Sequence, residues 1–213
     1  ASVEFARQPV LTKEKILSLV TSEGQDILNQ VLKEGKGAIV TSGHFGSWEL
    51  LAGWVAACGY PLDLLVGEQH NPYVDHLLIS FRKSLGVGII PVGVASRHVI
   101  KSLRSNRLVA VVSDQHAASG GAVVQFFGRP VSAPKGPAAF AIKVDCPIIA
   151  GYLLRQDYNH RHAVVFPPIY PPRTGDTDKD ILTMTQAYTS LFEEAIRKYP
   201  SQWMWTHRRW KLD

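Results

Sequence analysis

The chain has 213 residues, enough for one sizeable core and short for two. With 46% hydrophobic and 19% charged residues it is neither disordered nor fibrous. No apolar run approaches the roughly 18 residues of a bilayer-spanning helix. The formal net charge of +5 suits an anionic partner, whether nucleic acid, a phosphorylated substrate or an acidic lipid surface.

The opening stretch, ASVEFARQPV, carries no initiator methionine, charged n-region or apolar h-region, so it reads as a processed form or a piece of something longer. Residues 12–34 place apolar side chains at Ile16, Leu19, Val20, Ile27, Leu28, Val31 and Leu32, which predicts one or two helices around a central glycine. GAIVTS (37–42) is a β-branched run bounded by glycine, and SWELLAGWVAACG (47–59) reads as a helix ended by Gly59. LDLLVG (62–67) predicts a strand, and NPYVDHLLISFRKSLG (71–86) a helix with Pro72 in its first turn. VGIIPV (87–92), a helix over 96–105 and RLVAVVSD (107–114) continue the alternation.

Residues 123–144 mix a short strand, a Pro/Gly-rich turn and a helix from about 134. Strands near 147–155 and 162–166 follow, then the proline cluster FPPIYPPRTGDTD, a helix over 179–199 and the tail QWMWTHRRWK. Short apolar runs alternating with amphipathic stretches predict one α/β domain over 1–213, with a mostly parallel, buried sheet flanked by helices and residues 1–35 as an N-terminal helical segment. Sites in such sheets collect beyond the carboxyl ends of the strands, where TSGH and VSDQH both fall. The two cysteines, Cys58 and Cys146, form no framework or ligand pattern, which suits a reducing cytoplasm.

His44 and Glu49 stand five residues apart, a step of about 500° on a helix, so the two would lie on different faces of one. The spacing makes sense if His44 sits on the strand-to-helix turn between Gly43 and Gly46, with Glu49 in the first helical turn. Glu49 could then reach back to one imidazole nitrogen and leave the other as a general base. With no protein nucleophile nearby, the proton removed would belong to a substrate. The competing reading is a polar helix cap, with Ser47 or His44 satisfying amides and Glu49 on the solvated face.

GHFGSWE resembles the H-x4-(D/E) motif of the glycerolipid acyltransferase superfamily, in the form found in the lipid A late acyltransferase (lysophospholipid acyltransferase) family. NPYVD (71–75), FRKSLG (81–86), VSDQ (112–115), FFGRPVSAPKGPAAFA (126–141) and YPSQWMWTHRRWK (199–211) extend the resemblance over residues 36–211. It implies transfer of an acyl chain from a thioester of acyl carrier protein or coenzyme A to a hydroxyl of a glycolipid or lysolipid. No further cofactor and no metal are implied. His44 would be the base and Glu49 its orienting carboxylate. It also implies the cytoplasmic face of a bacterial inner membrane as the place of work, with an anchor upstream of Ala1 in many members.

Further positions follow from the same resemblance. Arg82 would clamp an acceptor phosphate or the oxyanion, against the alternative of an ordinary surface arginine. Asp114 and Gln115 would bind acceptor hydroxyls or brace the histidine. Arg129 and Lys135 would bind phosphate, and Phe126 and Phe127 would line an acyl tunnel or pack as core. Arg208, Arg209, Trp210 and Lys211 would touch an anionic membrane or a carrier protein, whereas Trp203, Trp205 and His207 alternate like a closing strand packed on the core. Glu68, His70 and His116 depart from the family pattern around the site.

Rival readings are weaker. A metal hydrolase would need clustered ligands, but His160 and His162 come with neither HExxH nor a thiolate set. A serine hydrolase would want G-x-S-x-G where this chain has GHFGS. Hydrolysis on the same site, by water entering it, is the nearer alternative. A non-catalytic nucleic-acid- or lipid-binding module draws only on the basic charge and the Trp/Arg tail, and no nucleic acid is expected.

Overall fold

In the computed structural model, which describes residues 10–67 and 69–211, the β-branched and apolar runs form a seven-stranded sheet. The elements in chain order are α1 (Lys13–Leu19), β1 (Val20–Glu23), α2 (Gln25–Lys33), β2 (Ala38–Ser42), α3 (Trp48–Ala57), β3 (Leu62–Val66), α4 (Pro72–Ser84) and β4 (Gly88–Pro91). After a short 3-10 turn come α5 (Ala95–Arg104), β5 (Leu108–Val112), β6 (Ala122–Phe126), β7 (Arg129–Ala133), α6 (Gly136–Val144), β8 (Ile148–Arg155), β9 (Arg161–Val165) and α7 (Thr177–Lys198). Residues 1–9 of the expected N-terminal helical segment, and Glu68, lie outside the described residues.

The strand order is β1-β9-β8-β2-β5-β3-β4, and β6 and β7 form a separate antiparallel hairpin. β8, β2, β5, β3 and β4 run parallel; β9 is antiparallel to β8, and β1 follows β9. The expected α/β sheet is therefore present, with a reversed edge. One segment differs from the sequence pattern. Val20–Glu23 continues the helical periodicity of 12–34, but its backbone pairs with Arg161–Val164 and becomes the edge strand β1. Pairing with a partner some 140 residues away is invisible to a local pattern. Where one short strand and a Pro/Gly-rich turn are expected, the chain forms two strands, β6 and β7, and the tail forms turns with one isolated bridge rather than a strand.

The sheet is covered on both faces. Leu50, Leu51 and Trp54 from α3, Phe81 from α4 and Leu85 just after it fill one side, and Val99, Leu103, Ala141, Met184, Tyr188 and Phe192 from α5, α6 and α7 fill the other. Every residue of β2 is buried, as a central parallel strand requires. A third cluster, including Phe45, Phe126, Val131, Tyr152, Ile196 and Trp203, seals the hairpin onto α7. β2 and β5 are neighbours with Ser42 opposite Val112, so the chains leaving them emerge side by side. That register brings His44 and Asp114 together.

Candidate active site

His44 follows β2 by two residues and Asp114 follows β5 by two. The histidine Nδ1 lies 2.7 Å from Asp114 Oδ1, and the His44 main-chain N–H donates to Oδ2 at 2.8 Å. The carboxylate also accepts the Trp203 indole N–H on Oδ2 at 2.8 Å. The His44 side chain is 22% exposed while that of Asp114 is 4% exposed, so the pair has a buried end and an open end. Nε2 makes no hydrogen bond to the described residues, and the ring edge rests on Trp48 with centroids 5.2 Å apart. Burial works to raise the Asp114 carboxyl, but the hydrogen bond and charge of His44 and the Trp203 donor outweigh it, holding the group below the usual carboxylate range.

Two glycines shape this turn by their lack of a side chain rather than by flexibility. A Cβ on Gly43 would sit 3.0 Å from Asp114 Oδ2, closing the space the carboxylate uses. Gly46 has φ +57°, and a Cβ there would meet the Leu153 carbonyl oxygen at 2.0 Å. Ser47 stands at the cap position of α3, but its side chain makes no capping bond and its Oγ is buried without a partner. The polar-cap reading of the motif is thus not what the turn is built for.

The carboxylate on His44 is Asp114, which corrects the expectation that Glu49 would be. Glu49 belongs to another pair: Arg82 Nη2 donates to Oε1 at 2.6 Å and Nε to Oε2 at 3.2 Å. The two side chains are 14% and 8% exposed, a bidentate tie between the first turn of α3 and the last turn of α4. Arg82 is therefore not the ordinary surface arginine of the competing reading, and two of its donors are already committed to Glu49. The spacing of five is explained, since His44 faces β5 from the turn while Glu49 faces α4 from the helix.

The C-terminal segment departs from expectation as well. Arg209 is 1% exposed, and its Nη1 donates to the carbonyls of Gln115 at 3.0 Å and Ser132 at 2.7 Å. A guanidinium so placed cannot touch a membrane or a carrier protein, which overturns that expectation for Arg209. Trp210 is half-buried, its indole N–H donates to the Phe126 carbonyl at 3.3 Å, and its ring stacks on Trp205. Arg208 and Lys211 are exposed. His207 Nε2 accepts the His116 main-chain N–H at 2.9 Å, and burial keeps this imidazole below its ordinary pKa. Together Trp203, His207 and Arg209 hold Asp114, His116 and Gln115 in turn. The expected alternation of Trp203, Trp205 and His207 on the core holds for the buried Trp203, but Trp205 is exposed, and the pattern gives no sign of what Trp203 and His207 bond to.

The remaining expected residues lie apart from these bonds. Arg129 opens β7 and is exposed; Lys135 is exposed at the start of α6 and makes no capping bond. Phe126 is buried, and Phe127 is half-buried beneath the Arg197 guanidinium, 4.6 Å from its centroid. Among the described residues no three His, Cys, Asp or Glu side chains gather to hold a metal, and no helix is long and apolar enough to cross a membrane.

A family model described as bacterial lipid A biosynthesis acyltransferase matches residues 1–212. Among curated proteins, the phosphatidylinositol mannoside acyltransferase of Mycobacterium tuberculosis strain H37Rv is 26% identical over 217 residues, covering 99% of this chain and 66% of that protein. The protein of the same name from Mycolicibacterium smegmatis is 23% identical over 192 residues, covering 88% and 61% respectively. This chain thus spans a little under two thirds of the length of these relatives.

Proposed function

The chain belongs to the bacterial lipid A biosynthesis acyltransferase family, and from that premise and the geometry above we propose that it transfers a fatty acyl chain from a thioester to a hydroxyl of a lipid. The observation that carries the reading is a partly exposed histidine whose Nδ1 is held by a buried carboxylate while Nε2 is left open. Asp114 fixes the tautomer with the proton on Nδ1 and stabilises the imidazolium that forms. Nε2 takes the proton of the acceptor hydroxyl as its oxygen attacks the thioester carbonyl. The thiolate then leaves and receives that proton back. No acyl-enzyme is involved, because among the described residues no serine or cysteine side chain is hydrogen-bonded to the imidazole.

The amides of Phe45, Gly46 and Ser47 already donate to Gly43, Gln202 and Leu153 carbonyls. Stabilisation of the tetrahedral oxyanion therefore falls to the first amides of α3, at Trp48 and Glu49, where the helix dipole adds to it. The donor is a thioester of acyl carrier protein or coenzyme A. The names of the relatives favour a glycosylated phospholipid as acceptor, met at the cytoplasmic surface of a membrane, with lipid A precursors as the alternative.

Thiol release from both thioesters, in detergent, tests this with wild type and His44→Ala and a panel of phosphatidylinositol mannosides, lipid A precursors and lysophospholipids. The expected result is release stimulated by one acceptor class, with acyl product on it and a loss of about 10²–10⁴-fold in the variant. Release indifferent to every acceptor would replace transfer by hydrolysis. A covalent acyl-protein on the turnover path would overturn direct attack.

A further inference from the structure

One residue touches both halves of the dyad's support. The Trp203 backbone forms an isolated antiparallel bridge with Phe45, in the histidine turn, while its indole N–H donates to Asp114 Oδ2. The residues beside it reinforce the registration: Gly46 N–H donates to the Gln202 carbonyl at 2.8 Å, and Met204 N–H donates to the His44 carbonyl at 3.0 Å. The His44 turn is therefore laced to residues 202–204, and the same segment reaches across to the carboxylate. The Trp203 ring is buried, edge-on to Phe126, Trp205 and Trp210, so the indole cannot swing away without opening that cluster.

The geometry points to Trp203 as a positioning residue for acyl transfer: it holds Asp114 with Oδ1 aimed at His44 Nδ1 and keeps the two strand-end loops in register. This rests on the transfer reading above and adds a residue that the motif does not contain. Two physical effects place it there. A buried carboxylate needs its lone pairs filled, and the indole donor on Oδ2 leaves Oδ1 to the imidazole alone. The donor also orients: with Oδ2 held by the His44 amide and the indole together, rotation of the carboxylate about its Cβ–Cγ bond would break two bonds at once.

The test is Trp203→Phe, which deletes the N–H and keeps an aromatic ring in the cluster. The expected result is a kcat lower by about 10- to 100-fold, the effect of one charge-assisted hydrogen bond, with KM little changed. The acid limb of kcat/KM, set by protonation of the His44 base, should move to higher pH, because a carboxylate with fewer donors favours the imidazolium beside it more strongly. Pairing with Asp114→Asn should be strongly non-additive, since the indole acts through that carboxylate. Loss of packing alone would lower activity equally at every pH and would add to the second substitution, and that result overturns the proposal.

A second readout needs no substrate. The Trp203 indole N–H resonance, assigned by its loss in Trp203→Phe, should lie downfield in wild type and shift upfield in Asp114→Asn. An indole resonance indifferent to Asp114→Asn refutes the contact. This measurement stands even if no acyl transfer is found, so a failed function and a failed positioning role are told apart.

Discussion

Which carboxylate serves His44 can be decided by replacing each with its amide. Asp114 accepts three N–H groups, two on Oδ2 from the His44 main chain and the Trp203 indole and one on Oδ1 from His44 Nδ1. The amide introduced by Asp114→Asn would have one acceptor oxygen. Placed where Oδ2 was, that oxygen keeps two donors and turns its NH2 toward Nδ1. The imidazole must then carry its proton on Nε2, the atom required to be free. Flipped, the amide restores Nδ1–H but sets its NH2 against two buried donors. Both arrangements are poor, and the first, with fewer conflicts, removes the base. Asp114→Asn should therefore lower kcat by about 10³–10⁴-fold, or about 4–5.5 kcal/mol in the barrier, as for other oriented imidazoles given the wrong tautomer.

Glu49→Gln should behave differently, because its partner is Arg82 and not His44. Removing one charge from a largely buried bidentate pair leaves the guanidinium uncompensated, a cost of about 3 kcal/mol at the lower end of such losses. Unfolding by urea should shift by that amount, while kcat per folded molecule stays within about tenfold of wild type. Thiol release under saturating acceptor, alongside the urea curves, separates the two. Folded Glu49→Gln losing as much turnover as Asp114→Asn, or Asp114→Asn retaining activity within about tenfold, would refute Asp114 as the partner of His44 in turnover.

Three further outcomes follow from particular contacts. Gly46→Ala adds a methyl against the Leu153 carbonyl at a positive φ, and should cost roughly 3 kcal/mol by denaturant titration; a neutral effect would mean the turn relaxes freely. Burial holds His207 below the unfolded histidine value of about 6.5, so the folded state binds fewer protons and stability is lost as pH falls below about 6.5. His207→Gln keeps an acceptor for the His116 amide without titrating, and should flatten urea midpoints measured between about pH 7.5 and 5.5; an unchanged slope would assign it to another group. Arg209→Met strips donors from two carbonyls and should lower stability by about 2–4 kcal/mol, with binding to anionic vesicles unchanged; weakened sedimentation with vesicles would restore the lipid-contact role.

The pattern of what could be read from the chain has a physical origin. β2 through β5, with the helices between them, were legible almost to the residue because each is bounded by its own local signals: Gly37, the Asn71 cap with Pro72, and β-branched runs of strand length. The same logic placed His44 and Asp114 at neighbouring strand ends. It could not rank Asp114 against Glu49 as partner, because motif spacing counts residues along one segment and the bond runs across two. The short count from His44 to Glu49 reflects two separate demands on one turn, an imidazole facing β5 and a carboxylate facing Arg82 on α4. β1 was hidden for the same reason, its partner being far along the chain.

The tail shows the limit most clearly. Tryptophans beside arginines look alike whether they meet lipid headgroups or buried carbonyls, since both uses need an apolar ring and a donor. What distinguishes them is the acceptor, and Asp114, Gln115 and Ser132 supply it from other parts of the chain. A buried carboxylate that must stay ionised beside its imidazole needs such donors. The last turns of this chain are therefore part of the site's construction, and truncating them should abolish turnover even though His44 and Asp114 remain.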